Sequence, residues 1–166
     1  MGGYRTAVSV TVEPVVVGPG SDDLLEAAWL LKERIRAAEG VLRQQRGFFT
    51  RAYRRATTYA YVDREADQLI GFATVRRDGY ILFLAVAPEH RGEGFGERLV
   101  ATVAEKHRRV SCHARTTNEG ALAFYRALGF ERVRRIDSYY EDGGAAFYLR
   151  LGEAGLTDRL GDLFRR

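Results

Sequence analysis

The sequence predicts an α/β (α+β) fold in which a mixed central β-sheet carries helices on both faces. Segments typical of strands and of helices alternate along the chain, an order that requires a mixed sheet with its faces covered. An unbroken apolar run over residues 81–87 is typical of a buried strand. The length of 166 residues suits about one domain with a single core. We expect that domain over residues 1–151 and a tail over 152–166.

The N-terminal third predicts an opening strand and a helix. Residues 7–17 are rich in valine and threonine, which favours a strand or a strand pair. Ser21, followed by two aspartates, is a helix start signal, and apolar residues at helical spacing continue as far as Gly40. Residues 41–55 show no clean period and predict a short helix plus a loop.

The middle of the chain predicts an antiparallel meander that leads into the apolar strand. Residues 57–63 and 69–75 have strand composition, and Asp78-Gly79 is a two-residue hairpin signal before residues 81–87. Three alternate glycines follow Pro88, and residues 94–108 then carry apolar side chains at helical spacing. This order predicts a buried strand, a tight glycine turn and an amphipathic helix.

The last third predicts a strand, a helix and a closing hairpin. Residues 110–116 alternate, so His113 faces the side opposite to the apolar residues. Asn118 caps a helix that ends at Gly129. Residues 132–140 and 146–151 form the hairpin. In the tail, apolar spacing is typical of a weak helix docked on the domain, although two glycines reduce its stability.

Composition limits the class of protein. With 46% hydrophobic and 29% charged residues the chain is typical of a soluble globular protein. No apolar run approaches the roughly 20 residues of a membrane span and the start lacks a signal-peptide core, so we expect a cytoplasmic protein without a membrane partner. Cys112 is the sole cysteine, which excludes an intrachain disulfide and predicts a buried, inert thiol. We expect no metal site.

The formal charge of +4 suits an anionic ligand, and it would also suit RNA. One segment alone favours RNA, because it interleaves basic and aromatic residues: Arg43, Arg46, Arg51, Arg54 and Arg55 with Phe48, Phe49 and Tyr53. Only two of the 26 basic residues are lysine, a bias that genomic base composition can produce by itself. We therefore do not expect a nucleic-acid partner.

The glycine turn indicates a phosphate-bearing cofactor. Glycines let the backbone approach a ligand closely, and the free N–H groups and positive dipole end of the following helix favour an anion. The pattern G-x-G-x-G is neither the dinucleotide fingerprint nor a P-loop. A plain glycine-rich turn is the structural alternative.

Two longer motifs resemble one enzyme family. Arg91-x-x-Gly94-x-Gly96 after a Val-Ala-Pro strand end resembles the acetyl-CoA signature of the GNAT superfamily of N-acetyltransferases. Residues 118–130 fit N-x-x-A-x-x-x-Y-x-x-x-G-F, which is similar to the second signature of that family. Tyr139 and Tyr140 open a Y-Y-x-D-G turn similar to that of the RimI/Ard1-like branch, the N-terminal protein acetyltransferases. Gly144-Ala145 departs from the acidic pair that often follows in that branch.

The resemblance implies that residues 1–151 are a GNAT acetyltransferase domain that binds acetyl-CoA. Backbone groups of Leu84, Ala85 and Val86 would hold the pantetheine arm, and the Val86 amide would polarise the thioester carbonyl. Asn118 would contact the pantetheine end. The pyrophosphate would be bound by Arg91, Gly92, Glu93, Gly94, Phe95, Gly96 and Glu97.

The resemblance also implies catalytic and substrate residues. Tyr125 occupies the general-acid position, although helix periodicity alone would place it in the core. His113 lies where RimI-like enzymes carry a glutamate base, with a structural histidine as the alternative; His90 is the reserve candidate. Tyr139 and Tyr140 would fix a peptide backbone.

These roles imply direct transfer of acetyl from acetyl-CoA to an amine. An α-amine has a pKa near 7.7–8.0 and lysine one near 10.4, so a site with only a histidine base suits a protein or peptide N-terminus. One alternative is a GNAT enzyme acting on a small amine such as a polyamine, amino acid or aminoglycoside. A second is a non-catalytic module that binds acyl-CoA or RNA.

Overall fold

The computed structural model describes residues 11–152, which form seven strands and four α-helices. The predicted strand residues 7–10 and nearly all of the predicted tail lie outside the described residues. The strands are β1 (Val12–Val17), β2 (Thr57–Asp63), β3 (Gln68–Val75), β4 (Ile81–Val86), β5 (Ser111–Arg115), β6 (Phe130–Ile136) and β7 (Ala146–Leu151). The helices are α1 (Leu25–Glu39), α2 (Arg46–Arg55), α3 (Phe95–Lys106) and α4 (Glu119–Ala127).

The strands form two antiparallel sheets that meet at one point. One sheet has the order β1-β2-β3-β4 and the other the order β5-β7-β6. A single parallel bridge between Tyr80 and Ser111 joins them. Beyond this bridge, β4 and β5 form no further strand pairing within residues 11–152. The two strands therefore separate, and one edge of β4 is left open.

Helices cover both faces of the larger sheet, as the sequence predicts. Because side chains alternate along a strand, Phe72 and Ala73 of β3 lie in different cores. Phe72 packs with Phe49 and other residues of α1 and α2, whereas Ala73 packs with Leu99 of α3 and with α4. The side chains that fill both cores are almost fully buried.

The first helix begins later than the sequence predicts and ends where predicted. The Ser21 hydroxyl accepts a hydrogen bond from the Asp23 N–H at 3.1 Å, so it stabilises a turn and does not cap the helix. Helix α1 starts four residues later, at Leu25. Gly40 ends it with φ 71°, a left-handed conformation that glycine adopts without strain.

The turn before β4 differs by one residue from the predicted two-residue hairpin. The Gly79 N–H donates to Arg76 O at 2.9 Å, and the Arg76 N–H donates to Tyr80 O at 2.9 Å. Three residues, 77–79, therefore form the loop, with Gly79 at φ 84°. The third loop residue sets the position of Tyr80 at the bridge between the sheets.

The closing hairpin also differs from the prediction, because β6 ends at Ile136 and not at residue 140. Tyr139 and Tyr140 lie in the loop that joins β6 to β7. The Tyr140 N–H donates to Gly144 O at 3.1 Å, and the Gly143 N–H donates to Tyr140 O at 2.9 Å. The tyrosine pair is therefore held by a turn rather than by a strand ladder.

Within residues 11–152, no helix is long and apolar enough to cross a bilayer.

Candidate active site

A cleft of about 1510 Å³ opens where β4 and β5 separate. One end is lined by the glycine turn and the start of α3, and the deep part by β4, β5 and α4. The other end is lined by segment 41–48, which includes the start of α2, and by residues 139–142 between β6 and β7. Every residue with a predicted binding or catalytic role lines this one cleft.

The open edge of β4 presents backbone groups to the cleft. The Ala87 N–H donates to Ile70 O of the β3 side at 2.7 Å. Because hydrogen-bonding directions alternate along a strand, Leu84 and Val86 point their backbone groups away from β3. Ala85 points its backbone groups towards its β3 partner, Phe72. The structure therefore leaves the backbone groups of Leu84 and the N–H of Val86 available to an extended ligand, and it removes Ala85 from the predicted backbone contacts.

The glycine turn ends in a helix N-terminus without a side-chain cap. Gly94, at φ 88°, is the N-cap residue of α3, and the first N–H to bond back within the helix is that of Arg98, which donates to Gly94 O at 3.1 Å. The backbone N–H groups of residues 95–97 precede that bond and face no intrahelical acceptor. A Cβ added to Gly92 would meet no atom within 4 Å. Open space beside exposed N–H groups fits a phosphate group.

Arg91 is engaged with protein groups in this structure. Its Nη2 lies 2.8 Å from the Glu39 carboxylate at the end of α1, and its Nε donates to Val86 O at 3.4 Å. The guanidinium thus links α1 to the end of β4. Its charge is paired with Glu39, and its contact with a bound anion stays a prediction.

Tyr125 lies at the deep side of the cleft, on α4. It is 7% exposed and packs edge-on against Phe124 and Phe130. Burial, followed by the neighbouring Cys112 thiol, raises the pKa of the Tyr125 phenol well above its ordinary value. The phenol is therefore protonated at neutral pH and can donate a proton.

Cys112 is buried, as the sequence predicts, at 2% exposure. Burial raises the pKa of its thiol to about 12. A thiol in this state carries no thiolate at neutral pH and is a poor nucleophile.

Asn118 caps α4 and also lines the cleft. Its side-chain oxygen accepts a hydrogen bond from the Ala121 N–H at 3.1 Å. Gly96 keeps α3 and α4 close at this point, because a Cβ there would lie 3.1 Å from a ring carbon of Phe124. The predicted structural role of Asn118 is confirmed, and its amide remains at the cleft.

His113 lies on the other side of β5 from Tyr125. Its Nδ1 is 2.6 Å from the Tyr80 hydroxyl, and its ring stacks on Tyr139 with centroids 4.3 Å apart and planes inclined by 12°. Burial, and then the charge of Arg134 and of Arg76, lower the pKa of the imidazole. His113 is therefore neutral at pH 7, which is the form that can accept a proton.

Tyr80 engages one of the two ring nitrogens of His113. The Tyr80 hydroxyl lies 2.6 Å from Nδ1 of His113, so Nε2 is the ring nitrogen that this contact does not occupy. Burial, followed by the neighbouring Tyr139, raises the pKa of Tyr80, so its hydroxyl is protonated at neutral pH. Sequence reasoning missed Tyr80, because no local pattern indicates its contact with a residue 33 positions away.

His90 has different surroundings. Its Nδ1 lies 3.0 Å from the Glu93 carboxylate, and its ring meets Phe95 edge-on with centroids 6.0 Å apart. Both neighbours belong to the glycine turn and the start of α3. The structure therefore places His90 beside the anion site, and His113 in the cluster with Tyr80 and Tyr139.

The arginine-aromatic segment does not present an aromatic surface. Phe49 and Tyr53 are buried at 0% and 1% exposure, which leaves Phe48 as its one exposed aromatic residue. Three of its arginines form ion pairs with acidic residues: Arg43 with Asp142, Arg46 with Glu26 and Arg54 with Asp22. Bases could not stack on rings that form the core, so this segment does not support the RNA alternative.

Comparisons with known proteins agree with this geometry. N-alpha-acetyltransferase 30 of Schizosaccharomyces pombe is 31% identical over 102 residues, which cover 54% of this chain and 68% of that protein. N-alpha-acetyltransferase RimI of Mycobacterium tuberculosis is 33% identical over 101 residues, covering 55% and 64%. A chain in the crystal structure of the NatC complex bound to Gag peptide and CoA superposes with a TM-score of 0.61 at 25% identity, covering 84% and 98%.

The chain spans less than two thirds of the length of most curated relatives that it matches. The profile of the acetyltransferase (GNAT) family matches residues 23–130, more than half of the chain. That region extends from the start of α1 to the start of β6 and contains the open β4 edge, the glycine turn and Tyr125. On this match and this architecture, the chain belongs to the acetyltransferase (GNAT) family.

Proposed function

We propose that this protein transfers acetyl from acetyl-CoA to the N-terminal α-amine of a protein or peptide. One observation carries the proposal: the open edge of β4 leads from the uncapped N-terminus of α3 to a point between protonated Tyr125 and neutral His113. When bound, acetyl-CoA supplies a thioester whose C–S bond breaks as the amide C–N bond forms.

The binding residues follow the shape of the cleft. The N–H groups at the start of α3 bind the pyrophosphate, because they are unpartnered and carry the positive end of the helix dipole. The open backbone groups of Leu84 bind the pantetheine arm as a neighbouring strand would. The Val86 N–H polarises the thioester carbonyl, a role that is typically worth a few kcal/mol.

The acid and the base lie on opposite sides of β5. Tyr125, on the α4 side, donates a proton to the leaving sulfur. His113 faces away from that core, towards Tyr139, and its Nε2 accepts the proton of the amine directly or through one water. An acceptor that enters from the side of Tyr139 and Tyr140 therefore meets the base, His113, first.

Two facts support an α-amine acceptor. A single neutral histidine is a weak base, and an α-amine loses its proton more than two pKa units below lysine. Several of the relatives that match are named N-alpha-acetyltransferases, and a similar chain was crystallised with a peptide and CoA. We propose that Tyr139 and Tyr140, in the loop at the cleft mouth, hold the peptide backbone.

A library of N-terminal peptides together with small amines tests this function. Each compound is incubated with the protein and acetyl-CoA while thiol release is followed. Turnover on peptides is the expected result. Turnover confined to polyamines, amino acids or aminoglycosides would support the small-amine alternative, and binding of CoA without any turnover would support the non-catalytic alternative.

Gly94→Val is expected to weaken CoA binding about thirtyfold, because a branched side chain at φ 88° both strains the turn and fills space beside the N–H groups. Calorimetry with CoA and with pantetheine measures the effect. Pantetheine lacks the pyrophosphate, so its affinity is expected to stay unchanged. Gly20→Val is the matched control, since Gly20 has φ 87°, open space around it and a position outside the cleft. Equal losses of affinity for CoA and for pantetheine would contradict the assignment of the pyrophosphate site to the start of α3.

The pH dependence of kcat is expected to show an acid limb below pH 6.5. The base is active when neutral, and the pKa of His113 is lowered, so activity is full at pH 7 and falls as the pH drops through that lowered pKa. His113→Gln removes the limb and lowers kcat about tenfold, a modest loss because α-amines are partly deprotonated near neutral pH.

Tyr80→Phe is expected to shift the same limb, since Nδ1 of His113 loses its partner. His107→Gln is the control, because His107 bonds to Val103 O at the end of α3 and does not line the cleft. An acid limb of kcat that persists in His113→Gln would show that another group is the base, and His90 would be the next candidate.

A further inference from the structure

Asp142 connects the two walls at the mouth of the cleft. Its Oδ2 lies 2.7 Å from Nη1 of Arg43, in the segment between α1 and α2. Its Oδ1 lies 3.0 Å from Nη1 of Arg115 on β5 and accepts the Gly144 N–H at 2.9 Å. We call these three contacts the Asp142 clasp. They join residues that are as much as 99 positions apart in the sequence.

The clasp continues into the aromatic cluster at the base. The Arg115 guanidinium lies 3.9 Å from the centroid of the Tyr140 ring. Tyr140 meets Tyr139 edge-on, and Tyr139 stacks on His113. A carboxylate at the mouth is therefore connected through packed side chains to the candidate base.

Segment 41–45, which contains Arg43 and forms the opposite wall, has a second contact, with α1. Lys32 is fully buried, and its ammonium donates to the backbone carbonyl of Gln44, one residue after Arg43. Leu42 has φ 55°, a left-handed conformation that costs energy for a residue other than glycine. Segment 41–45 is thus held by a buried lysine on one side and by the clasp on the other.

Both wall segments line the cleft, and so do all three charged groups of the clasp. The two arginines and the Gly144 N–H lower the pKa of Asp142, with Arg115 as the largest cause, so its carboxylate is charged throughout the neutral range. The clasp is therefore intact at any pH at which an α-amine reacts.

We propose that Asp142 is a positioning residue for the acceptor. The clasp holds segment 41–45 and loop 139–144 at the separation that one extended peptide chain fits, and it keeps Tyr139 and Tyr140 in place against His113. This role rests on the proposed function. Loss of the clasp weakens peptide binding and leaves the cofactor side of the cleft unchanged, because the glycine turn and α3 contribute nothing to it.

Three variants of the full chain test the clasp. Asp142→Asn keeps an acceptor for the Gly144 N–H but removes the charge, and Arg43→Gln removes only the arm that reaches the opposite wall. Asp137→Asn is the matched control, since Asp137 forms a 2.9 Å ion pair with Arg135 next to the same loop and lies outside the cleft. Each is measured by hydrogen exchange of segment 41–45 and by KM for peptide and for acetyl-CoA.

Both clasp variants are expected to speed exchange in segment 41–45 and to raise the peptide KM about tenfold, with the KM for acetyl-CoA unchanged. Their double variant is expected to be no worse than Asp142→Asn alone, because Asp142→Asn already removes the ion pair with Arg43. With a peptide free of charged side chains, added salt is expected to raise the wild-type KM and to leave that of Asp142→Asn flat, since the pair between Arg43 and Asp142 is exposed to screening.

The proposal is overturned if Asp142→Asn alters neither exchange nor peptide KM, or if Asp137→Asn alters them equally. It is also overturned if the KM for acetyl-CoA rises as much as that for peptide. Wild-type protein that acetylates no peptide would instead overturn the proposed function. In that case the hydrogen-exchange rates of segment 41–45 would be the test of the clasp.

Discussion

Replacement of Tyr125 by phenylalanine is expected to lower kcat about 10²- to 10³-fold while CoA binding stays unchanged. The phenol is protonated at neutral pH because burial raises its pKa, and it lines the deep part of the cleft. Phenylalanine keeps the ring between Phe124 and Phe130, so the loss isolates the hydroxyl. Steady-state rates on the best peptide and calorimetry with CoA measure the two quantities.

Tyr59→Phe controls for the loss of a buried hydroxyl as such. Tyr59 is 8% exposed, packs in the same core and does not line the cleft. We expect its kcat to match that of the wild type. A loss of less than threefold in Tyr125→Phe would mean that the leaving thiolate needs no proton from this residue, and Tyr125 would then be a core residue.

Gly79→Ala is expected to lower the free energy of unfolding by about 3 kcal/mol, through left-handed strain together with steric overlap. An added Cβ would lie 1.8 Å from the backbone oxygen of Arg109, which cannot swing aside as a side chain could. Gly79 O also accepts the Ser111 N–H at 3.2 Å, at the point where β4 and β5 meet. Any shift that relieves the overlap therefore disturbs the junction from which the cleft opens.

Denaturant unfolding measures this change, and Gly20→Ala separates its two causes. Gly20 has φ 87° but nothing within 4 Å of an added Cβ, so its substitution carries the backbone strain alone. We expect a loss of about 1 kcal/mol there. Equal losses at the two glycines would show that the approach to Arg109 is relaxed in solution.

Local patterns were sufficient for most of the elements. Alternation and turn residues predict β2 at residues 57–63 and β7 at 146–151 with the bounds that the structure has. Asn118 and Gly129 bracket α4 because a cap and a left-handed stop act within a few residues of their own backbone. Patterns of this kind depend on near neighbours, so they can be read without knowing the rest of the fold.

The errors arise where a distant contact or a competing local bond decides the structure. Ser21 stabilises a turn with Asp23, which moves the helix start to Leu25. The loop before β4 takes a third residue, and the bridge of Tyr80 to β5 lies beyond the reach of a hairpin signal. The loop holding Tyr139 depends in part on contacts with segments far away in the sequence.

The candidate site likewise contains some residues that local motifs predict and others that only distant contacts bring together. The glycine turn, Asn118 and Tyr125 belong to contiguous motifs, so sequence resemblance places them together. Tyr80 and His113 are 33 residues apart, and nothing in the sequence around either one indicates the 2.6 Å contact. Arg91 belongs to such a motif as well, but nothing in the motif indicates the ion pair that its guanidinium forms with Glu39, more than 50 positions away.

The most direct test of the proposed activity uses one peptide that carries a free N-terminal α-amine and an internal lysine. The peptide is incubated with the protein and isotopically labelled acetyl-CoA, and tandem mass spectrometry then locates the label. The proposed activity predicts label on the α-amine, which disappears in Tyr125→Phe and is reduced in His113→Gln. Label on the lysine, or none on either amine while CoA still binds, would contradict it.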